Sequence, residues 1–149
     1  MIKQGVKSIS VGSIQRQIGV LLLVWSALSI CAGLLLIFLG IPFWRGVGLQ
    51  GVVWGIIDAG IALFGLASSR RKGARPDALT PTVLRREAKG LRRLLLVNVG
   101  LDVVYILAGI IVLLTFDTPF AHGNGVGILI QGGFLLLFDN FYATRVEVN

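Results

Sequence analysis

Polar residues punctuate this chain so rarely that four stretches stay apolar long enough to cross a bilayer: Ile18 to Leu39, Val47 to Ala67, Leu94 to Phe116 and Val126 to Ala143. A helix rises about 1.5 Å per residue and needs roughly 20 residues to cross about 30 Å of hydrocarbon, which each run approaches or exceeds. The two-residue alternation of a barrel strand is absent, and a backbone in lipid must satisfy its own N–H and C=O groups, so each run predicts a transmembrane helix. The expected architecture is all-α: a polytopic membrane protein with four transmembrane helices in a compact bundle over residues 18–143 (spans about 18–39, 47–67, 94–116 and 126–143). A basic segment 1–17 precedes it, a basic loop 68–93 divides its second and third spans, and a short tail 144–149 follows.

The first span follows a basic stretch but is too long for a signal-peptide core, and Ile41-Pro42-Phe43 is no small-residue cleavage site, so it reads as a retained helix. The lone Cys31, mid-span, has no partner for an internal disulfide and reads as packing. In the loop, Gly73 and Pro76 mark a turn. Thr80 before Pro81 has the form of an N-cap with proline at the first helical position, so a basic helix starts there and runs into the third span. On that helix Val83, Leu84, Ala88 and Leu91 are expected on the lipid surface while the arginines snorkel; a partner-binding loop is the alternative.

Composition agrees: 55% of the 149 residues are hydrophobic and 14% charged, with a mean hydropathy of +0.86, outside the balance of soluble domains. The distribution of the Lys and Arg residues adds an orientation. Lys3, Lys7 and Arg16 precede the first span, nine lie from Arg70 to Arg93, and Arg145 follows the last, which leaves Arg45 as the single one of 14 on the other side. The positive-inside rule then places both termini and the long loop in the cytoplasm. The net charge of +7 belongs to the membrane flanks and points to anionic lipid headgroups at the basic loop, not to nucleic acid.

The exceptions to apolarity carry the candidate chemistry. Asp58, Asp102 and Asp139 fall on three different spans at depths agreeing to about one helical turn. At a period of 3.6, Asn98, Asp102 and Tyr105 share one face of the third span; Gln50, Trp54, Asp58 and Ile61 one face of the second; and Gln131, Leu135, Asp139 and Tyr142 one face of the fourth. Each charge costs at least about 2.5–3.5 kcal/mol on insertion scales, so the stripes should face the bundle interior. The first span, with only Ser26 and Ser29, looks like a supporting wall. Gly51, Gly55 and Ala59 beside the second stripe are expected to let helices approach closely. A gapless comparison of 17–62 with 98–143 matches eight of 46 positions, including Gln50, Gly51 and Asp58 with Gln131, Gly132 and Asp139, and raises an internal duplication of two hairpins.

Three carboxyls in one layer without Lys or Arg are tolerated in lipid only if protons or a bound cation offset their charge. One reading is therefore an interhelical hydrogen-bond network of Asp58, Asp102, Asp139, Asn98, Tyr105, Gln50 and Gln131 in a structural or interaction protein. The alternatives are a proton- or cation-binding transporter subunit working as a homo-oligomer, and an accessory subunit of a larger membrane complex. Enzymatic readings are weak. His122 with Asp117 in the loop TFDTPFAHGNGVG reads as loop polarity, and Gly123, Gly125 and Gly127 as a flexible turn. With one His, one Cys and no internal Met, neither a metal site nor a cofactor is expected, and no residue is assigned a catalytic role.

The segments WGIIDAGIA, NVGLDVVYILAG and GVGILIQGGFLLLFD, over about residues 45–143, resemble a family of small bacterial four-span membrane proteins of unknown function. The resemblance implies a bacterial inner-membrane setting and family positions at Asp58, Asn98, Asp102, Tyr105, Gln131 and Asp139, and it implies no activity.

Overall fold

The computed structural model describes residues 3–146 apart from Leu79, with side chains from Val11 onward; Lys3, Lys7 and the tail end beyond Val146 lie outside the described side chains. Four helices follow one another: α1 (Lys3–Phe38), α2 (Pro42–Gly73), α3 (Pro81–Thr115) and α4 (Pro119–Arg145). No strand occurs among the described residues. Each helix is long and apolar enough to cross a membrane. At 27 to 36 residues they exceed one hydrocarbon thickness, since 36 residues rise about 54 Å.

The helix ends follow local chemistry. Gly40, at φ 74°, turns the chain after α1, a left-handed conformation that a Cβ disfavours. Proline then opens α2, α3 and α4, where its missing N–H is no loss. The α3 start falls at Thr80-Pro81, and the basic helix continues unbroken through the third span. Thr80 has the extended cap conformation, but its hydroxyl donates back to Asp77 O at 2.9 Å instead of accepting from the helix. Thr118 does cap α4, accepting from Ala121 N at 3.2 Å. As a result the connection between α2 and α3 spans only 74–80, and α4 starts before His122, so Gly123, Gly125 and Gly127 are helical and not a flexible turn. Glycine disfavours an isolated helix in water, but packing against neighbouring helices selects it here.

Polarity is inverted relative to a soluble protein. The outer surface is Leu, Ile, Val and Phe, with Phe38 84% and Leu114 81% exposed, whereas the largest side chains wholly withdrawn are Asp58 and Ser26. Cys31 is exposed on this outer surface and does not pack inside. The tight pairs are α1 with α2, α3 with α4 and α2 with α4; α1 meets α3 sparingly, and α2 and α3 scarcely approach. At the end carrying the termini and the 74–80 connection, here the loop end, an apolar cluster of Val11, Ala88, Leu95, Tyr142, Ala143 and Val146 joins α1, α3 and α4. Ala88 is thus buried in that cluster instead of facing lipid, with Leu91 packed against it, because α1 extends beyond the span and covers that face of α3.

Candidate functional site

The polar positions divide into two layers with different chemistry. Gln50 precedes Asp58, and Gln131 precedes Asp139, by eight residues, about 12 Å of helix rise, so the glutamines lie nearer the end opposite the loops. There each buried side-chain nitrogen and oxygen among the described residues has a hydrogen-bond partner. Gln131 Oε1 accepts from Trp25 Nε1 at 3.0 Å, and its Nε2 donates to Ser29 Oγ at 3.3 Å. Gln50 Nε2 donates to Asn124 Oδ1 at 2.8 Å, and its Oε1 accepts from Tyr105 Oη at 3.1 Å. Gln131 therefore ties α1 to α4, and Gln50 ties α2 to both α3 and α4. Trp25 also stacks on Phe134 with ring centroids 3.7 Å apart, so the first span supplies more than a wall.

Glycines let the backbones close around this layer. A Cβ on Gly55 would lie 2.6 Å from Ile30 Cγ1 and 2.9 Å from Ser26 O, and one on Gly51 would lie 2.9 Å from Ser29 O. Both glycines therefore sit where α2 meets α1, while Ala59 is half-buried one turn further on. At the far end a Cβ on Gly123 would fall on the Phe43 carbonyl, and one on Gly127 would lie 2.7 Å from Gln50 Cβ. His122, just before Gly123, is half-buried in the first turn of α4, and Asp117 is exposed in the preceding turn.

The aspartate layer is built differently. A cavity of about 420 Å³ lies in the loop-end half of the bundle, and Asp58, Asp102 and Asp139 all line it, together with Asn98, Trp54 and Tyr105. All four helices contribute walls: Gln15, Ile18, Gly19 and Leu22 come from α1, and Leu135 and Phe138 from α4. Gln50 and Gln131 do not reach it. Asp58 is 2%, Asp102 7% and Asp139 7% exposed, yet Asp58 Oδ2 and Asp102 Oδ2 have no hydrogen-bond partner among the described residues. Asn98 and Asp139 line the cavity from α3 and α4 respectively. Trp54 and Tyr105 stand together with centroids 4.5 Å apart and planes tilted by 58°. Their proximity links the two layers, since Tyr105 lines the cavity with its ring and donates to Gln50 with its hydroxyl.

Towards the loop end the cavity is bounded by Ser68, Ser69, Lys72 and Gln15, with Ser69 Oγ donating to Gln15 Oε1 at 3.0 Å. No group of three His, Cys, Asp or Glu side chains among the described residues is arranged to hold a metal ion. The three carboxyls thus share one cavity without converging on one point. Gln15, Ser69, Lys72 and Trp25 were not singled out from sequence; the first three lie in helix extensions outside the apolar runs, and Trp25 reads as one more apolar residue.

The fold and the interior define a class: a four-helix protein, each helix long and apolar enough to cross a membrane, in which three buried carboxyls line an internal cavity. Within that class the chain belongs to the family of unknown function DUF6992, whose family model matches residues 21–140. No curated protein and no solved structure matches the chain. The matched range contains both polar layers and the three aspartates.

Proposed function

We propose that this protein is a cation-binding membrane protein, with the aspartate-lined cavity as its site and transport of the bound cation or proton as its role. The observation that carries this reading is the pair of withdrawn, unpartnered carboxyl oxygens of Asp58 and Asp102 in a cavity that also holds Asp139. A layer serving only to fix helix register needs its groups paired, because a buried polar atom without a partner costs about 1–3 kcal/mol. Here the pairing that fixes register belongs to Gln50 and Gln131. The aspartates are left available to a proton or a cation, the usual employment of carboxyls inside membranes.

In this reading the loop end faces the cytoplasm of a bacterial inner membrane, following the positive-inside rule, and the cavity exchanges with that side. The glycine-packed half narrows the other side, and a homo-oligomer or a larger membrane complex completes the path. The exposed hollow of Lys89, Arg92, Arg93, Leu96 and Val97 on α3 suits an anionic headgroup with its acyl chain alongside. Binding, not catalysis, is the proposed activity.

The test is an infrared titration of the carboxyl stretch in liposomes, comparing wild type with Asp58→Asn, Asp102→Asn and Asp139→Asn, with and without sodium or small amines. A carboxyl band that responds to pH or cation and diminishes in the Asn variants is expected. A band indifferent to both in the wild type would overturn the reading.

A further inference from the structure

Resting on that reading, we propose that the ligand of the cavity is an organic ammonium ion with an apolar or aromatic body, and that it enters sideways from the membrane between α2 and α3. Three observations point the same way. The first is the donor set: the carboxyls share the cavity, yet among the described residues no three acidic, His or Cys groups are arranged around one ion. An alkali or divalent cation stripped of water needs roughly six oxygens close around it, whereas an ammonium group is satisfied by one or two carboxylates and leaves its body to other contacts.

The second is the lining. A volume of about 420 Å³ is within the range of about 300–1,000 Å³ typical of small-molecule sites. Around the carboxyls the wall is Leu, Ile and Phe, with the Trp54 and Tyr105 rings set in it. Aromatic faces beside carboxylates attract an organic cation electrostatically and cover its apolar surface as well.

The third is the approach. Ile61 and Phe64 of α2 and Leu94 and Leu101 of α3 line the cavity and are also exposed on the outer surface, 57%, 78%, 57% and 61% respectively. Beside these four residues the cavity wall is open to the outer surface between α2 and α3, whose backbones stay apart and meet through side chains such as Trp54 and Tyr105. At the aqueous mouth, by contrast, Lys72 lines the cavity and its positive charge opposes entry of a hydrated cation. A cation that partitions into the bilayer through its apolar body avoids that charge. The other ionisable groups facing the site are the three aspartates and Tyr105, from α2, α3 and α4.

The experiment uses the full chain in nanodiscs, with empty nanodiscs as background, and measures binding of phenylethylammonium and of sodium by calorimetry and by the infrared carboxyl response. Saturable phenylethylammonium binding is expected, weakened about tenfold or more by Asp58→Asn and by Trp54→Leu, while the uncharged analogue phenylpropanol does not bind above background. Thermal melts establish that the variants are folded, and Asp102→Asn provides a second, near-isosteric carboxyl variant. If sodium moves the carboxyl band and phenylethylammonium does not, this inference falls while the cation-binding reading stands. If neither does, this inference falls, and the cation-binding reading falls with it when pH leaves the band unmoved as well. Binding of phenylethylammonium that survives Asp58→Asn, Asp102→Asn and Asp139→Asn together is partition into lipid and also overturns both.

Discussion

The two halves of the bundle solve the problem of polar groups in a membrane in opposite ways. In the half away from the loops, Gln50, Gln131, Trp25, Ser29, Asn124 and Tyr105 hold one another in hydrogen bonds of 2.8–3.3 Å, and glycines bring the helices into backbone contact. In the loop-end half, three carboxyls join the amide of Asn98, two of their oxygens are unpartnered, and they line a cavity. Amides donate and accept and so can complete a closed network without any ligand. Carboxylates only accept, and with no donor opposite them they require a proton or a cation from outside. In the proposed reading the closed half is the scaffold and the open half is the part with something left to bind.

Substitutions distinguish the halves by the property they damage. The largest loss of stability is expected for Gly123→Val, whose side chain would fall on the Phe43 carbonyl. Because backbone and not a flexible side chain stands in the way, the cost should be at or above the roughly 3 kcal/mol upper range for overpacked interiors, seen as loss of monodisperse protein in detergent. Next is Gln131→Leu, which leaves Trp25 Nε1 and Ser29 without their partner. A destabilisation of about 1–2 kcal/mol is expected from the two interhelical bonds, read from reversible denaturation in mixed micelles.

Gly40→Ala acts at the turn between α1 and α2 and should cost about 1 kcal/mol through its positive φ alone. Its cavity is untouched, so cation response is expected to remain at the wild-type level. The smallest stability effect belongs to Asp58→Asn, where an unpartnered oxygen is replaced by an amide of the same shape. Its stability should stay within about 1 kcal/mol of wild type, while the carboxyl response to cations diminishes. An Asp58→Asn variant that melted as early as Gln131→Leu would erase the distinction between scaffold and site.

Much of the helical framework was legible because it rests on short-range chemistry. Run length and hydropathy report the free energy of moving side chains and backbone into hydrocarbon, and Thr80-Pro81 reports a local start for α3. The glycines of α4 misled for a related reason: Gly123, Gly125 and Gly127 have the composition of a turn, and only contact with Phe43, Gln50 and Leu113 makes helix the better use of them. Thr118-Pro119, of the same form as Thr80-Pro81, was the available signal. Ala88 was misplaced because a helical period identifies a face but not what covers it, and α1 covers that face from residues outside its apolar run.

The same limit divides the site. By itself the sequence determined that there are four apolar helices and that Asp58, Asp102 and Asp139 lie at similar depths on polar stripes, since rise per residue and transfer cost depend on the chain alone. Which stripe residues complete one another was decided only by tertiary structure. The relative rotation and separation of the helices pair the glutamines with Trp25, Ser29, Tyr105 and Asn124 and leave the aspartates facing a cavity. Those quantities are set by close contacts between residues far apart in sequence, such as Gly127 with Gln50 and Gly55 with Ile30, which no local pattern encodes.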